Sequence, residues 1–243
     1  MARKPLVSIV TPAYNEEQHL KHNLSSVLNQ NYSQIEHIVI DDGSTDETPN
    51  ILRQYEDSYN LRWRSKENEG QVSAVNDAFS MANGEIIMWL NADDVLLYTN
   101  SISNLVDVFQ SNPDVDVAYS NHALIDENNQ LVRFRVTIPS FSYSRLLRSY
   151  FAPFIFFRKE VVEKHKLDDL DLAMDYEYAL RLADEGYKFQ HIDEPLWAYR
   201  RHRKTKSITN EGRQNEQGRQ IQKQYGQTHD LGYKIRKLLD KGI

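Results

Sequence analysis

Asn91-Ala92-Asp93-Asp94 follows the mostly apolar stretch from Glu85 to Leu90, so two adjacent carboxylates stand where a buried strand would end. Such neighbours repel one another unless protons or a cation neutralise them. An oxygen-only ligand set suits Mg²⁺ or Mn²⁺, which take one or two protein carboxylates and fill their other positions with diphosphate oxygens and water. The same residues also suit a turn or a helix cap, where Asn and Asp are ordinary. Two more polar clusters have the same setting: Thr11 to Asn15 follow the run Val7 to Val10, and Asp41-Asp42 follow Ile35 to Ile40.

These clusters need strands to place them. Val7 to Val10 and then Leu20, Leu24, Val27 and Leu28 at helical spacing describe a strand and a helix. Asn15 with Gln18 predicts a capping box for that helix, and Ser44 with Glu47 predicts another before Ile51, Leu52 and Tyr55. A third unit follows Leu61 and Trp63. Its helix is predicted over 71–82, carrying Val72, Val75, Ala78, Phe79 and Ala82, with Asn83-Gly84 as a left-handed terminator. Strand-helix alternation with near-continuous apolar strands implies an α/β fold, a mostly parallel central sheet with helices on both faces. Ligands of such sheets gather at the carboxyl ends of the strands, where the three clusters fall.

Beyond Asp94 the rhythm changes. A helix is expected near 100–111, strands over 115–119 and 131–136, an aromatic-rich stretch from Phe141 to Phe157, a helix from Asp175, and a strand-like run from Glu194 to His202. The expected organisation is one domain over 1–210, with two halves over 1–98 and 99–210. A basic helical tail follows over 211–243.

Composition narrows the class. The chain has 243 residues, 40% apolar and 26% charged, and no cysteine, so thiol chemistry, disulfides and Cys-ligated zinc are excluded. The start reads as a first strand rather than a signal peptide, and no run reaches the roughly 18 apolar residues of a membrane helix. A cytoplasmic protein is therefore expected. Its charge is uneven: residues 200–243 carry 12 Lys/Arg against 4 Asp/Glu, and the remainder 17 against 31. Such a basic segment can neutralise phosphates, touch the inner face of an anionic membrane, or form a solvated helix.

Taken together and in order, VSIVTPAYNEE, HIVIDDGSTDET, ENEGQVSAVNDAF, WLNADD and AMDYEYALRL resemble the family 2 inverting glycosyltransferases, whose fold is called GT-A. The resemblance runs over residues 6–207, and it implies that 1–98 is a nucleotide-sugar-binding half and 99–210 an acceptor-binding half. It implies that the backbone around Thr11 and Pro12, with Tyr14, Glu16 and Asp42, holds the base and ribose of a nucleoside-diphosphate sugar, with UDP ahead of GDP or dTDP. Gly70 and Asn76 would flank the nucleotide. Asn91, Ala92 and Asp93 would meet the donor, although many relatives have Asp at the position of Asn91. Asp93, Asp94 and His202 would hold Mn²⁺ or Mg²⁺, and Arg203 and Lys204 would meet the diphosphate. Asp175 matches the family's catalytic acid position and becomes the expected general base, with Glu177 as its fallback. The acceptor would be a glycan or a lipid-linked acceptor, in the synthesis of a bacterial polysaccharide or cell-envelope glycan.

Other classes fit less well. A nucleotidyltransferase would need a glycine-rich basic loop where this chain has TPAYNEE, and no G-x-G-x-x-G opens any helix, against a dinucleotide enzyme. A non-catalytic relative that binds a nucleotide sugar is the remaining alternative. No nucleic-acid site is expected.

Overall fold

The structure, a computed structural model, describes residues 3–148, 154–203 and 205–239. Its first part is β1 (Val7–Ala13), α1 (Leu20–Leu28), β2 (Ile35–Asp41), α2 (Thr48–Tyr55), β3 (Leu61–Ser65), α3 (Gln71–Met81) and β4 (Ile86–Trp89). Then come β5 (Val95–Leu96), α4 (Ser101–Ser111), β6 (Val117–Ile125), β7 (Leu131–Arg135), α5 (Tyr143–Arg148) and β8 (Phe154–Arg158). The chain continues through α6 (Lys159–Lys164), α7 (Met174–Asp184), β9 (Phe189–Arg200), α8 (Lys206–Thr209) and α9 (Glu211–Leu239).

One nine-stranded sheet has the order β3-β2-β1-β4-β8-β6-β9-β5, with β7 added beside β6. The strands β1 to β4 are mutually parallel, as the strand-helix alternation requires. Two antiparallel pairings through β8 bring β6, and β9 beside it, back to that same direction. Strands β5, β7 and β8 run the other way, a departure from the wholly parallel pattern of the first half. No periodicity marks such a reversal, because the connection rather than the strand decides it.

Both faces of the sheet are covered. Along β1, Val10 joins Ile38, Ile40 and the α3 and α7 residues Ala78, Tyr178 and Leu182 in one core. Val7 and Ile9, pointing the other way, join Met88, Ile102, Leu105 and Phe109. The first half of α9 packs too, with Ile221 and Tyr225 buried in the larger core. Among the described residues no helix is long and apolar enough to cross a membrane.

Neither expected capping box forms. The N-caps of α1 and α2 are His19 and Glu47, and neither makes a side-chain cap bond. Instead Asn15 takes a left-handed conformation (φ 54°) and joins the two loops at the carboxyl edge of the sheet. Its amide oxygen accepts from Thr45 N–H at 2.8 Å, and its own N–H donates to Ser44 Oγ at 2.8 Å. Long-range pairing of two loops has won over local capping, for which the same residue types serve equally well.

Nor does Asn83-Gly84 terminate α3 through positive φ; the cap residue Ala82 is already extended. Gly84 is needed for space. A Cβ there would lie 2.6 Å from the backbone N of Ser8 and 2.8 Å from Leu6 O, while Gly84 N–H donates to Ser8 Oγ at 2.8 Å. Gly84→Ala must therefore push β1 away from the start of β4. The expected loss is about 1–3 kcal/mol, the usual cost of overpacking, read as a lower urea midpoint at unchanged m-value.

Candidate functional site

A cavity of about 490 Å³ opens at the carboxyl ends of β1, β2, β4 and β9, the edge where such sheets bind ligands. Pro12, Tyr14 and Glu16 enter it from the loop after β1, and Asp42 from the loop after β2. Tyr14 is 49% exposed, so its ring face is available for stacking. The carboxylate of Asp42 accepts N–H groups from Gly70 at 2.8 Å and Glu69 at 3.1 Å. Its pull on these two amides fixes the loop that starts α3, where Gly70 sits at φ 92°, a conformation that suits glycine. Asp42 is thus both a wall of the cavity and the anchor of the opposite loop. Asp41 lies outside, with its oxygens accepting from Ser44 N–H and Ser65 Oγ.

The loop after β4 supplies Asn91, Ala92, Asp93 and Asp94. Asn91 is engaged at both ends of its amide: its side-chain oxygen accepts from Trp89 Nε1 at 2.9 Å and Gln71 Nε2 at 3.2 Å, and its nitrogen donates to Asp94 Oδ2 at 3.3 Å. The other Asp94 oxygen accepts Arg200 N–H at 2.9 Å. Burial, and then the charge of Asp93, push Asp94 well above the usual carboxylate range, with those donors pulling the other way. Asp94 therefore touches the cavity with both oxygens already hydrogen-bonded.

Asp93 is different. Its Oδ2 lies 3.2 Å from His202 Nε2, joining the end of the β4 loop to the turn after β9. Beneath them Arg200, fully buried, donates from Nε to Asp93 O at 2.7 Å. Next to His202, at 4.7 Å between ring centroids, is the buried His19, whose ring nitrogens have no hydrogen-bond partner among the described residues. Burial first, then the positive charge of Arg200, lowers His19 to about 4, so near neutrality it adds no charge beside Asp93.

Among the described residues no group of three or more His, Asp or Glu side chains forms a ready cation cage. Asp93 and His202 nevertheless fit a divalent cation that keeps diphosphate oxygens and water. Asp93 supplies the kind of carboxylate oxygen that Mg²⁺ or Mn²⁺ takes beside phosphate oxygens and water, and His202 Nε2, 3.2 Å away, adds a nitrogen donor next to it.

The remaining wall comes from the loop before α7 and from α8. Asp175, in the first turn of α7, faces the cavity and accepts Tyr176 N–H at 2.9 Å. Burial raises it to about 6, against the opposing pull of that N–H. Lys206 contributes a cation, 3.2 Å from Asp171.

Several expected residues are elsewhere. Thr11 is fully buried and spends its hydroxyl on Leu90 O at 2.7 Å and His37 Nε2 at 2.9 Å, tying β1 to its neighbours beneath the cavity. Asn76 lies further along α3 and holds Leu167 through both its oxygen and its nitrogen, outside the cavity. Arg203 is exposed and does not line it; Lys204 lies outside the described residues. Glu177, the alternative base, is buried against Arg181 at 3.0 Å and Tyr225, and does not line it either. Sequence reasoning missed Trp197 and Tyr199, although their spacing of two in a strand signals a shared face. It also missed Asp171 and Gln214, for which no local pattern exists.

Comparison with known proteins matches this geometry to a family. The model for "Glycosyl transferase family 2" matches residues 8–167, from β1 through α6 and short of Asp175 and His202. Chondroitin synthase from Escherichia coli is 30% identical over 198 residues, which cover 79% of this chain and 28% of that protein. The crystal structure of S. aureus TarS 1–349 in complex with UDP-GlcNAc has a TM-score of 0.70 at 20% identity, covering 81% of this chain and 59% of that one. The mannosyltransferase PcManGT from Pyrobaculum calidifontis, in complex with GDP-Man and Mn²⁺, has a TM-score of 0.65 at 22% identity, covering 84% and 59%. The chain spans 20% to 40% of the length of several curated bacterial relatives. The match covers most of the chain, and the fold agrees with that of the solved structures: this chain belongs to glycosyl transferase family 2, with a GT-A fold.

Proposed function

We propose that this chain transfers a sugar from a nucleoside-diphosphate sugar to an acceptor hydroxyl, with inversion at the anomeric carbon. One observation carries the reading. A single cavity holds both the Asp93–His202 pair and Asp175, a carboxylate whose affinity for protons is raised by burial. The first suits a diphosphate and its cation, the second suits a base. That TarS has been solved with UDP-GlcNAc and PcManGT with GDP-Man supports a nucleotide sugar as donor. The E. coli relative's name supports polysaccharide synthesis as the setting.

In this reading Tyr14 stacks on the base, and Asp42 with the loop at Gly70 bounds the ribose. Asp93 and His202 hold Mn²⁺ or Mg²⁺, while Asp94 acts by fixing Asp93 rather than as a ligand. A bound cation would offset the charge that grows on the leaving diphosphate. Lys206, at the same wall, meets that charge directly. Asp175 takes the proton of the acceptor hydroxyl as its oxygen bonds to the anomeric carbon. The bond to the diphosphate oxygen breaks on the far side, and the nucleoside diphosphate leaves with the electron pair. Asp175 then releases its proton to solvent, and no covalent enzyme intermediate forms.

Calorimetric titration with UDP, GDP and dTDP, each with Mn²⁺ and then with EDTA, tests the donor half. Metal-dependent binding of one nucleotide is expected; a folded protein that binds none of them would remove the reading. Asp93→Asn should weaken metal-dependent binding of that nucleotide by at least about tenfold, the lower bound even for changes outside a metal's direct ligands.

Asp175 gives a linked pair of expectations. As a base it must be ionised, so kcat should fall on the acid side of about pH 6 and level off above it. Because its folded-state pKa is raised, the protein is stabilised relative to the ionised form at low pH, and that contribution is lost as pH rises through about 6. Asp175→Asn should therefore lower kcat by about 10²–10⁴. It should also raise stability at pH 8 by about 1–3 kcal/mol, with little change at pH 4. A variant that keeps wild-type kcat would take Asp175 out of the mechanism.

A further inference from the structure

A second cavity, of about 610 Å³, adjoins the first and shares Tyr199 and Gln214 with it. Strand register explains its lining. On β6, His122 stands opposite Arg135 of β7 and Trp197 of β9, and Leu124 stands opposite Arg133 and Tyr199. Side chains alternate faces along a strand, so these rows share one face. Arg201 follows Tyr199 by two residues and extends the same row, with its N–H held by Ile125 O at 2.9 Å.

The two cavities differ in charge. The first is lined by Glu16, Asp42, Asp93, Asp94, Asp171 and Asp175. The second is lined by Arg135 and Arg201, and Glu211 is the one acidic side chain among its described lining residues. Among the described residues neither arginine takes part in an ion pair. Burial, followed by the charge of Arg135, lowers His122 to about 4, so the imidazole is neutral and the positive charge of this cavity belongs to the two guanidiniums.

A guanidinium keeps its charge at any working pH, and its planar fork matches the paired oxygens of a carboxylate or phosphate. Leu124, Ile138 and Ile208 line the same space and suit the C–H faces of a sugar ring. We propose that this second cavity binds an anionic group of the acceptor, a carboxylate or a phosphate, through Arg135 and Arg201, and so selects negatively charged chains. The proposal rests on the first cavity being the donor site. The shared Tyr199 and Gln214 then stand between the sugar being transferred and the part of the acceptor that is recognised.

The test uses the full chain at physiological salt, with and without UDP and Mn²⁺. NMR titrations with methyl β-glucuronide, glycerol 3-phosphate and neutral methyl β-glucoside compare the two anionic sources with an uncharged control. At least one anionic probe should bind about tenfold more tightly than the glucoside, the worth of one charge-assisted contact. Which probe does so distinguishes carboxylate from phosphate. Arg135→Gln and Arg201→Gln should each erase most of that preference and leave UDP affinity unchanged; both side chains are exposed, so folding is not at stake. Equal binding of charged and neutral probes by the unaltered chain, or a preference that survives both substitutions, would overturn the proposal. Arginine-dependent anion binding in a chain that binds no nucleotide would keep the anion site and remove the donor reading instead.

Discussion

One buried carboxylate joins the two strand ends on which the site depends. Asp94, 1% exposed, accepts the N–H of Arg200 from the end of β9 and the side-chain N–H of Asn91 from the end of β4. Arg200 returns a bond from Nε to Asp93 O, so the two segments are fastened in both directions and His202 is delivered to Asp93. Buried polar groups are tolerated only when hydrogen-bonded, and here the partners come from residues distant in the chain. The same logic accounts for Asn at position 91. An amide can donate to Asp94 while accepting from Trp89 and Gln71. A carboxylate there could not donate, and would add a third negative charge beside Asp93 and Asp94.

Burial sets the chemistry of the other residues as well. His19 is kept neutral under His202, Asp175 is made more basic, and Asp94 is made harder to ionise, in each case with desolvation as the largest cause. These groups stay where desolvation is unfavourable because the sheet edge and α7 over-determine their positions. The contrast between an acid-lined and an arginine-lined cavity follows from the same sheet. Parallel strands end in acidic loops, whereas the antiparallel addition of β7 places Arg133 and Arg135 across from β6.

Apolar strand runs alternating with helical patterns revealed the α/β character, the parallel first half and the clustering of Tyr14, Asp42 and Asp93 at one edge, because strand ends are set by local pattern; Asp175 is expected there only through the family resemblance. Residue type alone misled where one side chain serves several purposes. Asn15 resembles a cap and is a bridge between loops, while the side chains of Asn76 and Thr11 are bonded to Leu167 and to Leu90 with His37. Glu177 and Asp175 are two residues apart on α7, and only the rotation of the helix against the sheet decides which one meets the cavity. That rotation depends on contacts such as Tyr225 with Glu177, separated by 48 residues, which no local window contains.

The C-terminal helix is thereby part of how Asp175 is held. Tyr225 reaches Glu177, Tyr143 donates to Tyr225 O at 3.2 Å, and Gln217 accepts Leu172 N–H at 3.0 Å just ahead of α7. The basic residues nearest the first cavity are not idle either: Lys206 and Arg213 both pair with Asp171, at 3.2 and 3.0 Å. An exposed pair of this kind is weak in water, and Asp171 has two cations for one charge. In the proposed donor complex, a diphosphate that draws Lys206 toward the cavity would leave Arg213 on Asp171. The lysine can therefore change partners without leaving a carboxylate unpaired, and the loop that precedes Asp175 stays tied to α9 throughout.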